Sequence, residues 1–427
     1  MDTYTGTENM IDELKRKCVK VWESTPDTFP LFHRSYTASD HAANDVRLRA
    51  FIDDSIRLVK SFKGNGTDDP TQWGNSFKSL IYDCGVNVIG LGDDSMRLLL
   101  DGGFCDVTSE FISEARSFDA AFKLDDILQS LRNAWIMNCI QRLMGKDIAL
   151  TPSILAYSML YPYTDNFIDT NRISAKKKSG TNNKLGRRLA GEPVASETPL
   201  ENRIFKLVDM IEAQYDRSRY PMVYKSLTGI HDAQVRSMLQ DGSDDLAGND
   251  LLDISVEKGG SSVLADGCLI KGSLSEAESE FIFCFGILLQ LIDDLQDIGT
   301  DKINGHRTLF SMDSDKDTVQ SLTNRLINFT INVMDTDDSF TCTEAKQIKE
   351  LIKNSIVFLV MGAVACNDGI YGRKYLAALQ EHSPIDFRCL KSCYKKIGRE
   401  YGKLKLKFSV KSLEVPMAKA FASGSIS

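Results

Sequence analysis

Residues Phe285 to Asp301 read FGILLQLIDDLQDIGTD, an apolar run that ends in acid. Between Phe285 and Ile292 the only polar side chain is Gln290, and Asp293, Asp294, Asp297 and Asp301 follow. The spacing predicts a helix on which Asp293, Asp297 and Asp301 form one stripe at four-residue steps, with Asp294 turned aside. Carboxylates aligned at the end of a greasy helix repel one another and are costly to desolvate unless cations lie among them. A second stretch, Tyr161 to Arg172, has the same grammar: YPYTDNFIDTNR carries Asp165, Asn166 and Asp169. On a helix Asp165 and Asp169 are separated by about 6 Å of rise and roughly 40° of rotation. Both clusters share the i, i+1, i+4 polar pattern and both close an apolar run, which argues against two accidental helix ends. Together they predict magnesium, a hard ion that takes carboxylate, phosphate and water oxygens, and a phosphorylated substrate.

Helical periodicity extends over most of the chain, for example residues 8–23, 44–62, 119–145, 151–171, 199–241, 274–300, 314–335, 343–366 and 385–408. No run of alternating apolar and polar residues predicts strands, so an all-α fold in a single domain over residues 1–427 is expected. Turn signals such as Gly64-Asn65-Gly66, Gly102-Gly103 and Asp368-Gly369 fall between helical runs as punctuation. One segment breaks the pattern: Ser174 to Thr198, SAKKKSGTNNKLGRRLAGEPVASET, is rich in Lys, Arg, Gly, Ser and Asn. It reads as a basic mobile loop, placed to fold over an anionic ligand as a lid.

With 427 residues, 42% of them hydrophobic, the chain can bury a large core. A net charge of −8 argues against non-specific nucleic-acid binding, which needs a basic face. Ten cysteines are scattered without ligand spacing and read as buried free thiols; Cys389 and Cys393 share a helix face with no His beside them, which speaks against zinc. The N-terminal MDTYTGTENMIDELKRK lacks the apolar stretch of a secretory signal, and the longest apolar run, Phe281 to Ile292, is too short to span a bilayer. No transmembrane segment and a cytoplasmic location are therefore expected.

The string GILLQLIDDLQD, Gly286 to Asp297, resembles the second aspartate-rich motif of trans-prenyl diphosphate synthases, where Gly, an apolar residue and Gln precede DDxxD. DNFID, Asp165 to Asp169, is similar to their first motif, with Asn166 in place of its second Asp. ISVEKGGSSVLADGCL, Ile254 to Leu269, resembles the helix that carries a diphosphate-binding Lys in those enzymes, a role that falls on Lys258. The resemblance is to the class I isoprenoid synthase superfamily. It implies an antiparallel helical bundle around a deep apolar cavity, a prenyl diphosphate substrate and a homodimer. It further implies that Asp165, Asn166, Asp169, Asp293, Asp294, Asp297 and Asp301 hold two or three magnesium ions. Asp165, Asp169, Asp293, Asp297 and Lys258 are then catalytic, and Lys258, Arg307, Lys302 and Arg172 surround the departing diphosphate with positive charge.

Aromatic faces stabilise a cation without attacking it, so Tyr157, Tyr161 and Phe285 are candidates for the cavity wall, together with Gln290. By analogy with the positions that limit chain length in the prenyl synthases, Leu160 and Tyr161 are candidate gates. Pro162 is placed to kink their helix. Gly259, Gly260, Ser261 and Ser262, next to Lys258, allow a helix break, a close approach of backbone to ligand, or tight helix packing.

Elongating enzymes carry a Gly-Lys-Arg string near the N-terminus and paired arginines soon after the first motif. Here Thr170-Asn171-Arg172 follows Asp169, and Arg187-Arg188 lies far along the basic segment. That departure shifts the reading to enzymes that use one diphosphate. The form DNxxD resembles atypical terpene cyclases, related in motif style to squalene and phytoene synthases. The reading is a class I terpene synthase, a magnesium-dependent lyase that ionises a linear prenyl diphosphate and cyclises it or eliminates a proton. The alternative is a prenyltransferase, elongating or head-to-head; a catalytically silent isoprenoid-binding protein stands behind both. Of the five His, only His306 lies near the second cluster, as a candidate general base.

Overall fold

Among the residues described by the computed structural model (7–61, 70–169, 174–241, 247–312, 315–336 and 339–407) the periodic segments form seventeen α-helices. The chain begins with α1 (Thr7–Ser24), α2 (Ala38–Ser61), α3 (Pro70–Cys84), α4 (Asp93–Asp101), α5 (Phe104–Phe118) and α6 (Leu124–Leu143). The middle contains α7 (Pro152–Asp169), α8 (Ala175–Leu189), α9 (Pro199–Gln214), α10 (Pro221–Ser237), α11 (Gly248–Lys271), α12 (Glu276–Gln296) and α13 (Ile298–Asn304). It closes with α14 (Lys316–Thr336), α15 (Ala345–Cys366), α16 (Arg373–Gln380) and α17 (Phe387–Lys407). No strand forms among the described residues; one isolated bridge joins Asp241 and His306. No helix among them is long and apolar enough to cross a membrane.

A contiguous apolar core runs from Met10 on α1 to Cys393 on α17, with Trp22, Phe111, Phe283, Phe310 and Phe329 fully buried. Its densest packing is between α11 and α12. There glycine acts by having no side chain: a β-carbon on Gly259 would collide with the Gly286 carbonyl oxygen, and one on Gly286 with that of Gly259. A β-carbon on Gly260 would run into the Phe283 ring. α11 is unbroken across Gly259 to Ser262, so these small residues serve close helix packing rather than a break. α12 starts at a reciprocal cap in which Ser275 N–H donates to Glu278 Oε2 at 2.9 Å and Glu278 N–H to Ser275 Oγ at 3.3 Å.

Two expectations are corrected. The continuous helix expected over residues 199–241 is split, because the Asp216 carboxylate accepts from Ser218 N–H (2.9 Å) and Arg219 N–H (3.1 Å), and Pro221 opens a new helix. The basic loop expected over 174–198 is helical from Ala175 to Leu189. Its buried residues Thr181, Asn182, Leu185 and Leu189 fall on one face, and Lys184 and Arg188 meet acids on α9 or just before it. Lys184 Nζ lies 2.8 Å from Glu197 and 3.2 Å from Glu201, and Arg188 lies 2.5 Å from Asp209 and forks onto Glu212. Part of a positive charge cluster that reads as solvated in sequence, Lys184 and Arg188, is thus paired with acids that come later in the chain.

Candidate functional site

The second acidic cluster forms at the junction of α12 and α13. Asp297 leaves helical geometry there, yet Asp297 N–H still donates to the Asp293 carbonyl at 3.0 Å and Asp301 N–H to the Asp297 carbonyl at 2.8 Å, so the four-residue spacing continues. Asp293 and Asp297 are exposed, and Asp301 is buried. Asp294 turns into the α11–α12 seam, where Ser255 Oγ donates to one carboxylate oxygen and Gln290 Nε2 to the other, both at 2.8 Å. Burial pushes its carboxyl up to about 6. Asp294 and Gln290, expected at the metal and the substrate, are therefore engaged with each other and with Ser255. Burial, reinforced by the charges of Asp294, Asp297 and Asp293 and opposed by His306, raises Asp301 to about 6 as well. Asp297 is raised by the chain that surrounds it and by Asp293.

The first cluster faces this one. Asp165, half-buried near the end of α7, is raised by burial, lowered by Lys258 of α11 and raised again by Asp293 of α12. Two acidic motifs far apart in sequence thus share one electrostatic environment, with the Lys258 ammonium in it. α6 contributes residues that sequence reasoning missed. Gln129 Nε2 reaches Asp165 Oδ2 at 3.5 Å, and Arg132 acts on both Asp165 and Asp297. Asn166, exposed, donates from Nδ2 to Asp126 Oδ1 at 3.0 Å. The available signal was the polar stripe Asp126, Gln129 and Asn133, with Arg132 beside it, on α6. Among the described residues neither Lys258 nor Arg132 makes a hydrogen bond or ion pair, so both cations face the carboxylates without being consumed by one of them. The Asp169 side chain and all of Arg172 lie outside the described residues.

The remaining expected residues are more dispersed. Lys302 is exposed on α13. Arg307, half-buried, is tied through its backbone to Gln240, its N–H donating to the Gln240 carbonyl at 3.1 Å and its own carbonyl accepting from Gln240 Nε2 at 2.9 Å. His306 pairs through Nδ1 with Asp241 Oδ1 at 2.7 Å. Phe285 is buried and packs on Phe281, with ring centroids 6.4 Å apart. Tyr157, Leu160 and Tyr161 do share a space: with Thr164 they line one side of a cleft of 40 Å³ along α7. Leu185 and Leu189 of α8 and His231 and Gln234 of α10 form its other sides, and Tyr157 Oη is anchored to the Ser262 carbonyl at 3.1 Å. A larger hollow of 260 Å³ lies among Phe32, Arg34, Asp335, Lys353 and His382, and neither acidic cluster lines it.

Among the described residues, no three His, Cys, Asp or Glu side chains lie close enough together to hold one metal ion. No protein-family model matches the chain, and no curated protein matches its sequence.

Proposed function

We propose that the chain is a class I terpene synthase, which ionises a linear prenyl diphosphate with the help of magnesium and converts the resulting cation to a cyclic or unsaturated product. The observation that carries this reading is that Lys258 of α11 and Asp293 of α12 both act on Asp165 of α7. The donor set suits magnesium in its chemistry: its oxygens are hard carboxylates, and Asp293 raises the proton affinity of Asp165, Asp297 and Asp301. Asp165, Asp293, Asp297 and Asp301, with Asp169 of the same motif, are the residues to hold it. When bound, magnesium supplies Lewis acidity and neutralises charge that develops on the leaving group.

The chain's own side chains supply the rest. Lys258 and Arg132 bind diphosphate oxygens through charge-assisted hydrogen bonds. Ser255 of α11 binds Asp294 of α12, which Gln290 holds from within its own helix, and so helps to set the rotation of the α12 acids relative to α11. The hydrocarbon runs from Asp165 along α7, where Tyr157 and Tyr161 offer aromatic faces to an allylic cation. To admit it, Leu185 and Leu189 of α8 swing outward and widen the 40 Å³ cleft.

Incubation of the purified chain with magnesium and geranyl, farnesyl or geranylgeranyl diphosphate, with and without isopentenyl diphosphate, tests the reading. The expected result is a hydrocarbon or alcohol from one substrate alone. A longer diphosphate that appears only with isopentenyl diphosphate would assign elongation instead, and saturable binding without turnover would assign a silent carrier.

A further inference from the structure

Cys18 on α1 and Cys284 on α12 are separated by 266 positions in sequence, yet their sulfurs lie 2.8 Å apart. Both are free thiols in the structure, and with 0% and 4% of their surfaces exposed no solvent lies between them. A second pair, Cys389 and Cys393 on α17, shows the spacing of an ordinary thiol contact, with sulfurs 3.9 Å apart. Cys18 and Cys284 are closer than that by more than an ångström, and reaching the 2.03–2.05 Å of a disulfide takes less than about 1 Å of movement.

The local sequence holds the two sulfurs in this register. On α1 the buried residues Ile11, Leu14, Cys18 and Trp22 recur at three- and four-residue steps, and that stripe seats α1 against α10, α11 and α12. Ile11 fills the space that Gly229 of α10 leaves, where a β-carbon would collide with it. Lys15 Nζ lies 3.2 Å from Asp253 and 3.0 Å from Glu257 of α11, the latter next to Lys258 in sequence. Lys17 pairs with Glu276 and Glu280 of α12, and Cys18 Sγ donates to the Glu280 carbonyl at 3.8 Å. Cys284 stands between Phe283 and Phe285 in the apolar run of α12, about 14 Å of helical rise before Asp293.

We propose that Cys18 and Cys284 are an oxidation site that closes to a disulfide on exposure to a small peroxide, stapling α1 to the helix that carries the second acidic cluster. Peroxide reaches the sulfurs when α1 lifts from α12, a local opening of the kind that parts of a fold undergo without global unfolding. The Cys284 sulfur attacks one peroxide oxygen and the oxygen–oxygen bond breaks, which leaves a sulfenic acid and releases one water. The Cys18 sulfur then displaces the sulfenic hydroxyl, which departs with the remaining thiol proton as a second water. Two thiols and one hydrogen peroxide become one disulfide and two waters, and the two electrons that sulfur loses reduce the peroxide. The bond closes a loop of most of the chain and so removes freedom from the unfolded state. Its chemistry needs neither acidic cluster, so it stands apart from the proposed ionisation.

The test treats the purified full chain with hydrogen peroxide, or with a phosphine reductant, under native conditions. Each sample is then unfolded in guanidinium with iodoacetamide and digested without reduction for mass spectrometry. The expected result after peroxide is a pair of peptides joined through Cys18 and Cys284, absent from the reduced sample and released by later reduction. Separate alkylation of both cysteines after peroxide, or oxidation of either one alone or with another partner, would overturn the proposal. Melting temperature reads the staple itself: the peroxide-treated chain is expected to melt higher than the reduced chain by roughly 5 °C, with no such difference in Cys18→Ala. A joined peptide without any rise in melting temperature would overturn the stapling of α1, and an equal rise in Cys18→Ala would assign the effect to another thiol.

Discussion

Gly259 and Gly286 set the distance at which the second acidic cluster meets Lys258. Each would place a β-carbon against the other's carbonyl oxygen, so any side chain forces α11 and α12 apart. Gly286→Ala is expected to destabilise the fold by about 1–3 kcal/mol, the usual cost of overpacking, and calorimetric melting checks it; an unchanged melting temperature would show that the seam is slack. Arg132, which acts on both Asp165 and Asp297, makes a second residue-scale prediction. Arg132→Gln should weaken magnesium-dependent binding of inorganic diphosphate about tenfold, the scale of one lost charge-assisted hydrogen bond, while Arg132→Lys restores part of it in titration calorimetry. At this scale the sequence made the aspartates and Lys258 stand out as candidates, because repeated spacing on apolar helices is a strong signal. It did not reveal Arg132, which acts on Asp165 of α7 and on Asp297 at the α12–α13 junction, nor the duty of Asp294, which depends on the Ser255 hydroxyl of a neighbouring helix.

α8 is the element that local reading missed. Its Lys184 and Arg188 side chains are compensated by Glu197, Glu201, Asp209 and Glu212, which come later in the chain, and its buried stripe is only two leucines, a threonine and an asparagine. The Arg188 guanidinium, assisted by Arg217 and opposed by burial, holds the Glu212 carboxyl below its ordinary range. A carboxylate lowered in the folded state adds stability above its unfolded value of about 4.3, and that contribution is lost as pH falls through the folded value. The melting-temperature difference between wild type and Glu212→Gln should accordingly be largest near neutral pH and shrink below about pH 4. A difference constant across that range would mean that the charge of Glu212 does not anchor α8. The split between α9 and α10 was legible in retrospect, since Asp216 followed by Pro221 is turn chemistry, whereas the unbroken helix over Gly259 to Ser262 was not, because glycine looks the same in sequence whether it breaks a helix or admits a neighbour.

For the molecule as a whole, helical periodicity carried the fold class directly, and the described residues are helical with a contiguous apolar core. What lies beyond periodicity is how open the space beside α7 is. Forty cubic ångströms separate Tyr161 from Leu185, Leu189 and His231, and such a gap depends on side-chain volumes from three helices at once. The central claim is that the two acidic clusters act as one site on one leaving group. A double-mutant cycle of Asp165→Asn and Asp293→Asn on magnesium-dependent diphosphate release measures this most directly. Each single change is expected to slow release by at least about 100-fold, with the folded state intact by circular dichroism and the double variant little slower than either single. Wild-type rates in either single variant, or losses that multiply in the double, would contradict it.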